Sequence, residues 1–188
     1  MNKKLISIIC ALAVVLGVAG YVALRDTESS HSVTQKDEET GKRMYTNLDY
    51  GFSIVYGNEW DGPAETKELK VKGDPLAINA IFSSSSTLEA IVIGAKPGDT
   101  ETFNEAAAIL DIPYTVTTIG GLPSLRYEYV TPINEEASAY AKTVIMVFKG
   151  LPKGSVTMAY QKLFNTEAEA KKADMSGLNN FLAGVTFK

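Results

Sequence analysis

The residue types that carry most enzyme chemistry are scarce in this chain. It contains a single histidine, His31, and a single cysteine, Cys10, so histidine-based catalysis is nearly excluded and an intramolecular disulfide is ruled out. His31 lies in a polar stretch that has no second ligand type at a useful spacing, and we expect it to be solvated rather than to bind a metal. The sequence therefore predicts no catalytic residue, no cofactor and no metal site.

Two groups of residues retain some capacity for chemistry. The serine run 83–86 offers nucleophiles, but without a histidine base it would require a nearby lysine. The carboxylate pairs Glu135-Glu136 and Asp99/Glu101 are of the kind that act as acid and base or bind calcium, although nothing has the spacing of an EF-hand. We favour solvated loops and turns for both groups, and a hydrolase that uses them is the least favoured function.

Five aromatic residues fall on predicted strands, namely Tyr127, Tyr129, Tyr140, Phe148 and Tyr160. In strands such side chains most often pack across neighbouring strands. A groove between helix and sheet that some of them line would be the default site for a small molecule. An envelope protein that binds a small ligand is therefore our second functional hypothesis.

The N-terminal residues predict where the protein is located. Residues 5–24 form an uncharged run of 20 positions, and 20 helical residues rise about 30 Å, the thickness of the hydrocarbon core of a bilayer. The lysines in residues 1–4 favour a cytoplasmic N-terminus and an extracytoplasmic domain. We favour an uncleaved single-pass anchor over a cleaved signal peptide, which would make the protein secreted.

The next segment, residues 25–43, consists largely of Ser, Thr, Glu, Asp, Gln and Lys. Such a composition cannot bury enough apolar area to offset chain entropy, so we predict a flexible polar stalk. Three of the 18 basic residues lie within positions 1–25, whereas all 22 acidic residues follow, and the chain beyond Arg25 thus carries a net charge of −7. That sign disfavours nucleic acid and anionic membrane surfaces as partners.

From residue 44 to residue 188, segments of alternating apolar residues are bounded by turn residues and predict one domain. Strands are expected over residues 50–56, 67–72, 76–83, 88–95, 114–119, 122–129, 139–148 and 155–164. Helices are expected between Asp99 and Ile112 and after Thr166, where Thr166-x-x-Glu169 has the form of a capping box. Hairpin connections make the sheet mainly antiparallel. We therefore predict an α+β fold, a mainly antiparallel sheet with helices packed on it.

The start of this domain resembles a known family. The segment Tyr45-x-Asn47-x-x-Tyr50-Gly51-Phe52-Ser53-Ile54-x-Tyr56-x-x-x-Trp60 is similar to the opening strand of PsbP-like domains, which are α/β/α sandwiches of the Mog1/PsbP type. Gly120-Gly121-Leu122-Pro123-Ser124 followed by Tyr127-Glu128-Tyr129 is similar to the glycine turn and aromatic strand of that family. The resemblance covers roughly residues 45–188, and the chain departs from the family at Gly57, where proline is usual.

The resemblance implies a structural role for the motif residues Tyr50, Gly51, Phe52, Ser53, Ile54, Tyr56 and Trp60. From the residues themselves we expect Phe52 and Ile54 to pack one face of the sheet and Trp60 to fill one end of the core. Several members of the family are assembly or accessory proteins outside the cytoplasmic membrane. Our leading hypothesis is thus a non-enzymatic, membrane-tethered interaction or assembly module of the bacterial envelope, whose partner is another envelope protein.

Overall fold

A computed structural model describes residues 32–64, 70–71, 74–75, 77–84, 86–109, 113–133 and 139–188. The predicted anchor, Cys10, His31 and the Glu135-Glu136 pair lie outside these residues. Within the described ranges, no helix is both long and apolar enough to cross a membrane.

Strands dominate the described residues. They are β1 (Ser32–Lys36), β2 (Arg43–Asn47), β3 (Phe52–Tyr56), β4 (Asp61–Ala64), β5 (Lys70–Val71), β6 (Asp74–Pro75), β7 (Ala77–Ser84), β8 (Glu89–Pro97), β9 (Thr115–Ile119), β10 (Leu122–Pro132), β11 (Tyr140–Leu151), β12 (Gly154–Phe164) and β13 (Val185–Phe187). The helices are α1 (Phe103–Ile109), α2 (Glu167–Lys172) and α3 (Ser176–Ala183).

The strands form two main sheets and a small one, with antiparallel pairing throughout the described strands. The four-stranded sheet has the order β1-β2-β3-β13, the seven-stranded sheet has the order β4-β7-β8-β12-β11-β10-β9, and β5 pairs with β6. The last strand, β13, returns to the start of the domain, where Val185 is opposite Ile54.

The main core lies between the two large sheets. The four-stranded sheet contributes Tyr45, Phe52, Ile54, Tyr56 and Val185; the seven-stranded sheet contributes among others Phe82, Ile91, Ile93, Phe148 and Met158; and α3 contributes Leu178, Phe181 and Leu182. Successive strand residues point to opposite faces, so Ile145 of β11 points away from the main core into a second, smaller core beneath α1.

The predicted α+β sandwich with helices packed on a sheet is wrong. The molecule is mostly antiparallel β-sheet with few, short helices. The segment predicted as a helix from Asp99 to Ile112 forms only the seven-residue α1 among its described residues, and the C-terminal helix is interrupted between Lys172 and Ser176. The main core therefore forms between two sheets, with α3 as its helical contribution.

Regular structure also begins earlier than residue 44. Within the segment predicted as a stalk, Ser32–Lys36 forms β1 and pairs with β2 along its whole length. An Asx turn follows, in which Asp37 Oδ1 accepts the backbone N–H groups of Glu39 and Thr40. Composition does not reveal this strand because four of its five side chains are exposed, and its pairing depends on backbone groups rather than on apolar burial.

Local predictions are confirmed at one hairpin turn and one helix N-terminus. Gly120 and Gly121 have φ values of 58° and 84°, and two positive values are what a type I′ hairpin turn requires. The Thr166 hydroxyl accepts the Glu169 N–H while the Glu169 carboxylate accepts the Thr166 N–H. This is the reciprocal capping box that the sequence predicts.

The two edges of the seven-stranded sheet differ. At one edge, β4 contains Asp61 and Pro63 and shifts its register against β7. At the other edge, β9 consists of five uncharged β-branched residues, Thr115–Ile119, in continuous register with β10. Among the described residues no strand pairs with the outer side of β9.

Candidate functional site

One of the predicted carboxylate pairs belongs to a charged cluster. Lys149 Nζ on β11 lies 2.5 Å from Asp99 Oδ2 and 2.8 Å from Glu101 Oε2. Ser155 on β12 donates its hydroxyl hydrogen bond to the same Asp99 oxygen at 3.0 Å. Asp99 and Glu101 lie in the loop that leads into α1, so the cluster holds this loop against the β11–β12 hairpin.

This cluster brings a serine and a lysine to the same Asp99 oxygen, although Ser155 is not one of the serines 83–86 considered as nucleophiles. Burial lowers the pKa of Lys149, but hydrogen bonds to Asp99 and Glu101 and the charges of both carboxylates raise it overall. Burial likewise raises the pKa of Asp99, whereas hydrogen bonds from Lys149, Glu101 and Ser155 lower it overall. The raised pKa of Lys149 favours its cationic form and the lowered pKa of Asp99 makes it a weaker base, so both shifts disfavour general-base activation of the Ser155 hydroxyl.

The serine run also forms an internal network. Ser84 Oγ lies 3.2 Å from Ser86 Oγ, and Thr87 donates to Ser84 Oγ at 2.8 Å. These contacts order the β7–β8 turn, while Ser85 lies outside the described residues. Elsewhere in the described ranges, no group of three His, Cys, Asp or Glu side chains is arranged to hold a metal ion.

The five aromatic candidates for a ligand groove do not lie together. Phe148 and Tyr160 are fully buried in the main core. Tyr127 and Tyr129 belong to the smaller core on the opposite face of the same sheet, and Tyr140 is half-buried at the start of β11. The sequence does not distinguish these faces. Alternation shows which residues of one strand lie on the same side, but it does not show which residues of the neighbouring strand lie on that side as well.

The region beneath α1 is the closest arrangement to a helix–sheet cleft. Tyr127 is packed there with Ala106 and Ile145, and its buried hydroxyl has no hydrogen-bond partner among the described residues. Burial, with a smaller contribution from Tyr114, raises the pKa of Tyr127 to about 12, so the phenol is neutral. A buried hydroxyl that lacks a partner is costly, and a small ligand with a polar atom could satisfy it.

The larger residues of the opening motif pack the core as predicted. Phe52, Ile54 and Trp60 are at most 1% exposed. The Trp60 ring meets the ring of Phe181 on α3 edge to face at 5.3 Å between centroids. Tyr56 is also buried, and its hydroxyl donates to the Gly62 carbonyl at 2.8 Å, which connects β3 to the start of β4.

The smaller motif residues shape the turn and the outer face of β3. Gly51 has φ +66°, a left-handed conformation that glycine adopts without strain. The Tyr50 N–H donates to Asn47 Oδ1 at 3.0 Å. Ser53 Oγ lies 3.0 Å from Thr46 Oγ1 on β2. The motif residues therefore shape the β2–β3 hairpin and pack the core, and their described contacts form no reactive site.

An exposed apolar site lies at one end of the seven-stranded sheet. Leu88 in the β7–β8 turn is 61% exposed and has φ +54°, which is unfavourable for residues other than glycine. Its carbonyl accepts the Leu163 N–H at 3.3 Å, and Leu163 is also exposed. We call Leu88 and Leu163 the apolar tip; a third exposed residue, Ile133, follows β10 at the same end of the sheet.

Charged residues follow or precede the apolar tip along the chain, on the face of the sheet that carries the main core. Glu89 follows Leu88 and forms an ion pair with Lys162 at 2.5 Å, and the Lys162 ammonium lies 5.9 Å from the centroid of the Phe164 ring. The sequence analysis did not predict the apolar tip. The available signal was Leu88, an apolar residue that directly follows a run of serine and threonine residues.

Comparisons with known proteins assign no family. No family model matches the chain, and no curated protein matches it. Among solved structures, the chain is similar to a protein from Bacteroides thetaiotaomicron VPI-5482 whose crystal structure was determined at 1.50 Å resolution, with a TM-score of 0.49 and 14% identity. The alignment covers 79% of this chain and 49% of that protein, so this chain spans about half its length. The PsbP-like relationship stays a prediction.

Proposed function

We propose that this chain is a non-enzymatic interaction or assembly module, tethered to the bacterial membrane by its N-terminal segment, that binds another envelope protein. The apolar tip is the observation that carries the proposal. Leu88 is strained in its backbone and exposed in its side chain, and neither property stabilises the fold. Strain and apolar exposure at one residue are typical of a site that is completed by a partner.

The charged cluster around Lys149 supports the non-enzymatic part of this proposal. Its serine, lysine and carboxylates are hydrogen-bonded or ion-paired with one another, and Ser155 and Asp99 are largely buried. Their contacts stabilise the loop before α1. The apolar tip, by contrast, presents a surface that water solvates poorly.

The test is chemical cross-linking of the full-length protein in intact cells, followed by purification and mass spectrometry. We expect one envelope protein to be recovered with the wild type and to be lost with Leu88→Asn. Asparagine has a similar size, tolerates positive φ and removes the apolar surface, so the fold should be retained.

The matched control is Leu48→Asn. Leu48 is 56% exposed in the turn after β2, away from the apolar tip, and its replacement should leave recovery of the partner unchanged. Equal recovery with both variants, or no recovered protein with the wild type, would contradict the proposal.

A small-ligand-binding envelope protein is the second candidate function, and it is supported by the Tyr127 hydroxyl, which is buried without a partner in the described part of the chain. A ligand that binds the folded state raises the melting temperature. A thermal-shift screen of metabolites should then give a hit that Tyr127→Phe weakens, because this variant removes only the hydroxyl. Hits that are insensitive to Tyr127→Phe would place the ligand elsewhere.

A further inference from the structure

We infer that the β9 edge pairs with the β9 edge of a second copy of this chain, which joins two seven-stranded sheets into one antiparallel sheet. The inference goes beyond the proposed function and uses a different surface. β9 pairs with the first five residues of β10, whereas the apolar tip lies beside the opposite end of that sheet. Both surfaces can therefore be occupied at once.

The hairpin turn determines which backbone groups of β9 are free to pair. In a two-residue hairpin the flanking residues, here Ile119 and Leu122, exchange backbone hydrogen bonds. Hydrogen-bonded and non-hydrogen-bonded pairs alternate along an antiparallel ladder, so Thr117 and Thr115 also direct their N–H and C=O groups toward β10. Val116 and Thr118 direct theirs away from the sheet.

These outward groups are arranged symmetrically about Thr117. A twofold axis at Thr117 places Val116 opposite Thr118 of the second copy, and Thr118 opposite its Val116. Both are hydrogen-bonded pairs, so the two donors and two acceptors on each strand are satisfied by four backbone hydrogen bonds. An antiparallel pair of identical strands is the isologous interface that closed dimers use.

Side-chain chemistry favours the same pairing. All five residues of β9 are β-branched and uncharged, so they suit a strand and place no like charges across the axis. Val116 is 59% exposed, and the twofold pairing sets it beside Thr118 of the other copy. The other edges of the two main sheets are less suited, since β1 carries Lys36, β4 carries Asp61 and Pro63, and β13 has three residues.

The test is disulfide cross-linking of the full-length chain in membranes, in a Cys10→Ser background. Across the axis, the two Thr117 residues form a non-hydrogen-bonded pair with Cα atoms roughly 4.5 Å apart, within the range of a disulfide. Thr117→Cys should therefore give a disulfide-linked homodimer on mild oxidation.

Thr115→Cys is the matched control, because Thr115 shares the face of Thr117. Four residues of strand separate it from its equivalent across the axis, a distance of roughly 13 Å, which a disulfide cannot bridge. We expect several-fold less dimer. Equal yields from both variants, or a heterologous adduct of Thr117→Cys without a homodimer, would overturn the inference.

A second measurement does not depend on introduced cysteines. The molar mass of the full-length protein, purified in detergent and corrected for bound detergent, should correspond to a dimer for the wild type and to a monomer for Val116→Lys. Leu48→Lys, which makes the same change at another exposed apolar residue, should leave the dimer intact. A monomeric wild type would overturn the inference even if the apolar tip still captures its partner.

Discussion

The two edges of the seven-stranded sheet differ in how well they are protected against pairing with another strand. At β4, a carboxylate, a proline and an irregular register discourage further pairing, and the Tyr56 hydroxyl fixes the strand to β3. At β9, a regular strand of β-branched residues carries none of these features. Unprotected edges attract other strands, so the difference indicates that one edge is closed and the other is available for assembly.

The largest expected difference is in how much a truncated side chain next to each edge lowers the free energy of unfolding. Trp60 directly precedes β4, and its carbonyl accepts a hydrogen bond from Arg43 at 3.0 Å. Trp60→Ala should lower the free energy of unfolding by about 3–5 kcal/mol through the cavity that it leaves. Val116→Ala at the β9 edge should change it by no more than about 0.5 kcal/mol. Chemical denaturation measures both, and similar losses would refute the contrast.

Adjacent residues of β9 should respond differently to proline. Thr117→Pro removes an N–H that bonds to β10 and should cost about 1–3 kcal/mol. Thr118→Pro removes an outward N–H, which an edge strand tolerates, and should leave the stability of the monomer nearly unchanged. Denaturation at a protein concentration too low for association is the measurement. The opposite order would mean that our assignment of inward and outward groups is inverted.

The glycines of the β9–β10 turn provide a finer comparison. A Cβ on Gly120 would lie 2.8 Å from the Val185 carbonyl oxygen, whereas one on Gly121 meets nothing within 4 Å. Both have positive φ, so each alanine should cost about 1–2 kcal/mol of strain, with an additional cost for Gly120→Ala alone. Thermal denaturation should show the larger decrease in melting temperature for Gly120→Ala. Equal decreases would indicate that β13 moves away from the new Cβ at little cost.

The smallest expected effect depends on pH. Asp99 has a pKa below its ordinary value of 3.8, so its interactions with Lys149 and Ser155 contribute stability that is complete above that ordinary value. This stability is lost as the pH falls through the lowered pKa of the folded state. Because α1 packs on β10 and β11 near β9, amide hydrogen exchange at acidic pH should rise in α1 and the loop before it sooner than at β4.

Asp99→Asn should remove most of this acid sensitivity, since asparagine does not titrate. Ser53→Ala, at a hydroxyl pair on the other sheet, is a control that should leave the pH profile unchanged. Acid-dependent exchange that is the same in wild type and Asp99→Asn would show that other carboxylates control the α1 region.

The sequence predicted well those features that neighbouring residues determine. The Gly120-Gly121 turn requires two positive φ values, the Thr166 capping box satisfies two N–H groups locally, and alternation in β3 buries Phe52 and Ile54. Each signal lies within a few residues of the structure that it specifies, so no tertiary information is needed to read it.

Features that depend on distant partners were not predicted. The polar strand β1 is defined by its backbone pairing with β2, and Ala173–Met175 interrupts a segment whose apolar pattern continues from Ala170 to Leu178. Whether a helix or a second sheet covers the core depends on where β2, β3 and β13 lie. The apolar tip was missed for a related reason, because the positive φ of Leu88 is a property of the closed turn and not of its residue type.

The pairing of β13 with β3 also constrains when the domain can fold. Val185 and Phe187 contact the opening motif, and the Lys188 N–H donates to the Gly51 carbonyl at 2.8 Å. The β2–β3 hairpin thus receives a neighbouring strand from residues far along the chain, a pairing of long sequence separation that slows folding. Until β13 has been synthesised and has paired, β3 is a bare edge over an incomplete core, so the domain cannot complete its native packing on the N-terminal hairpins alone.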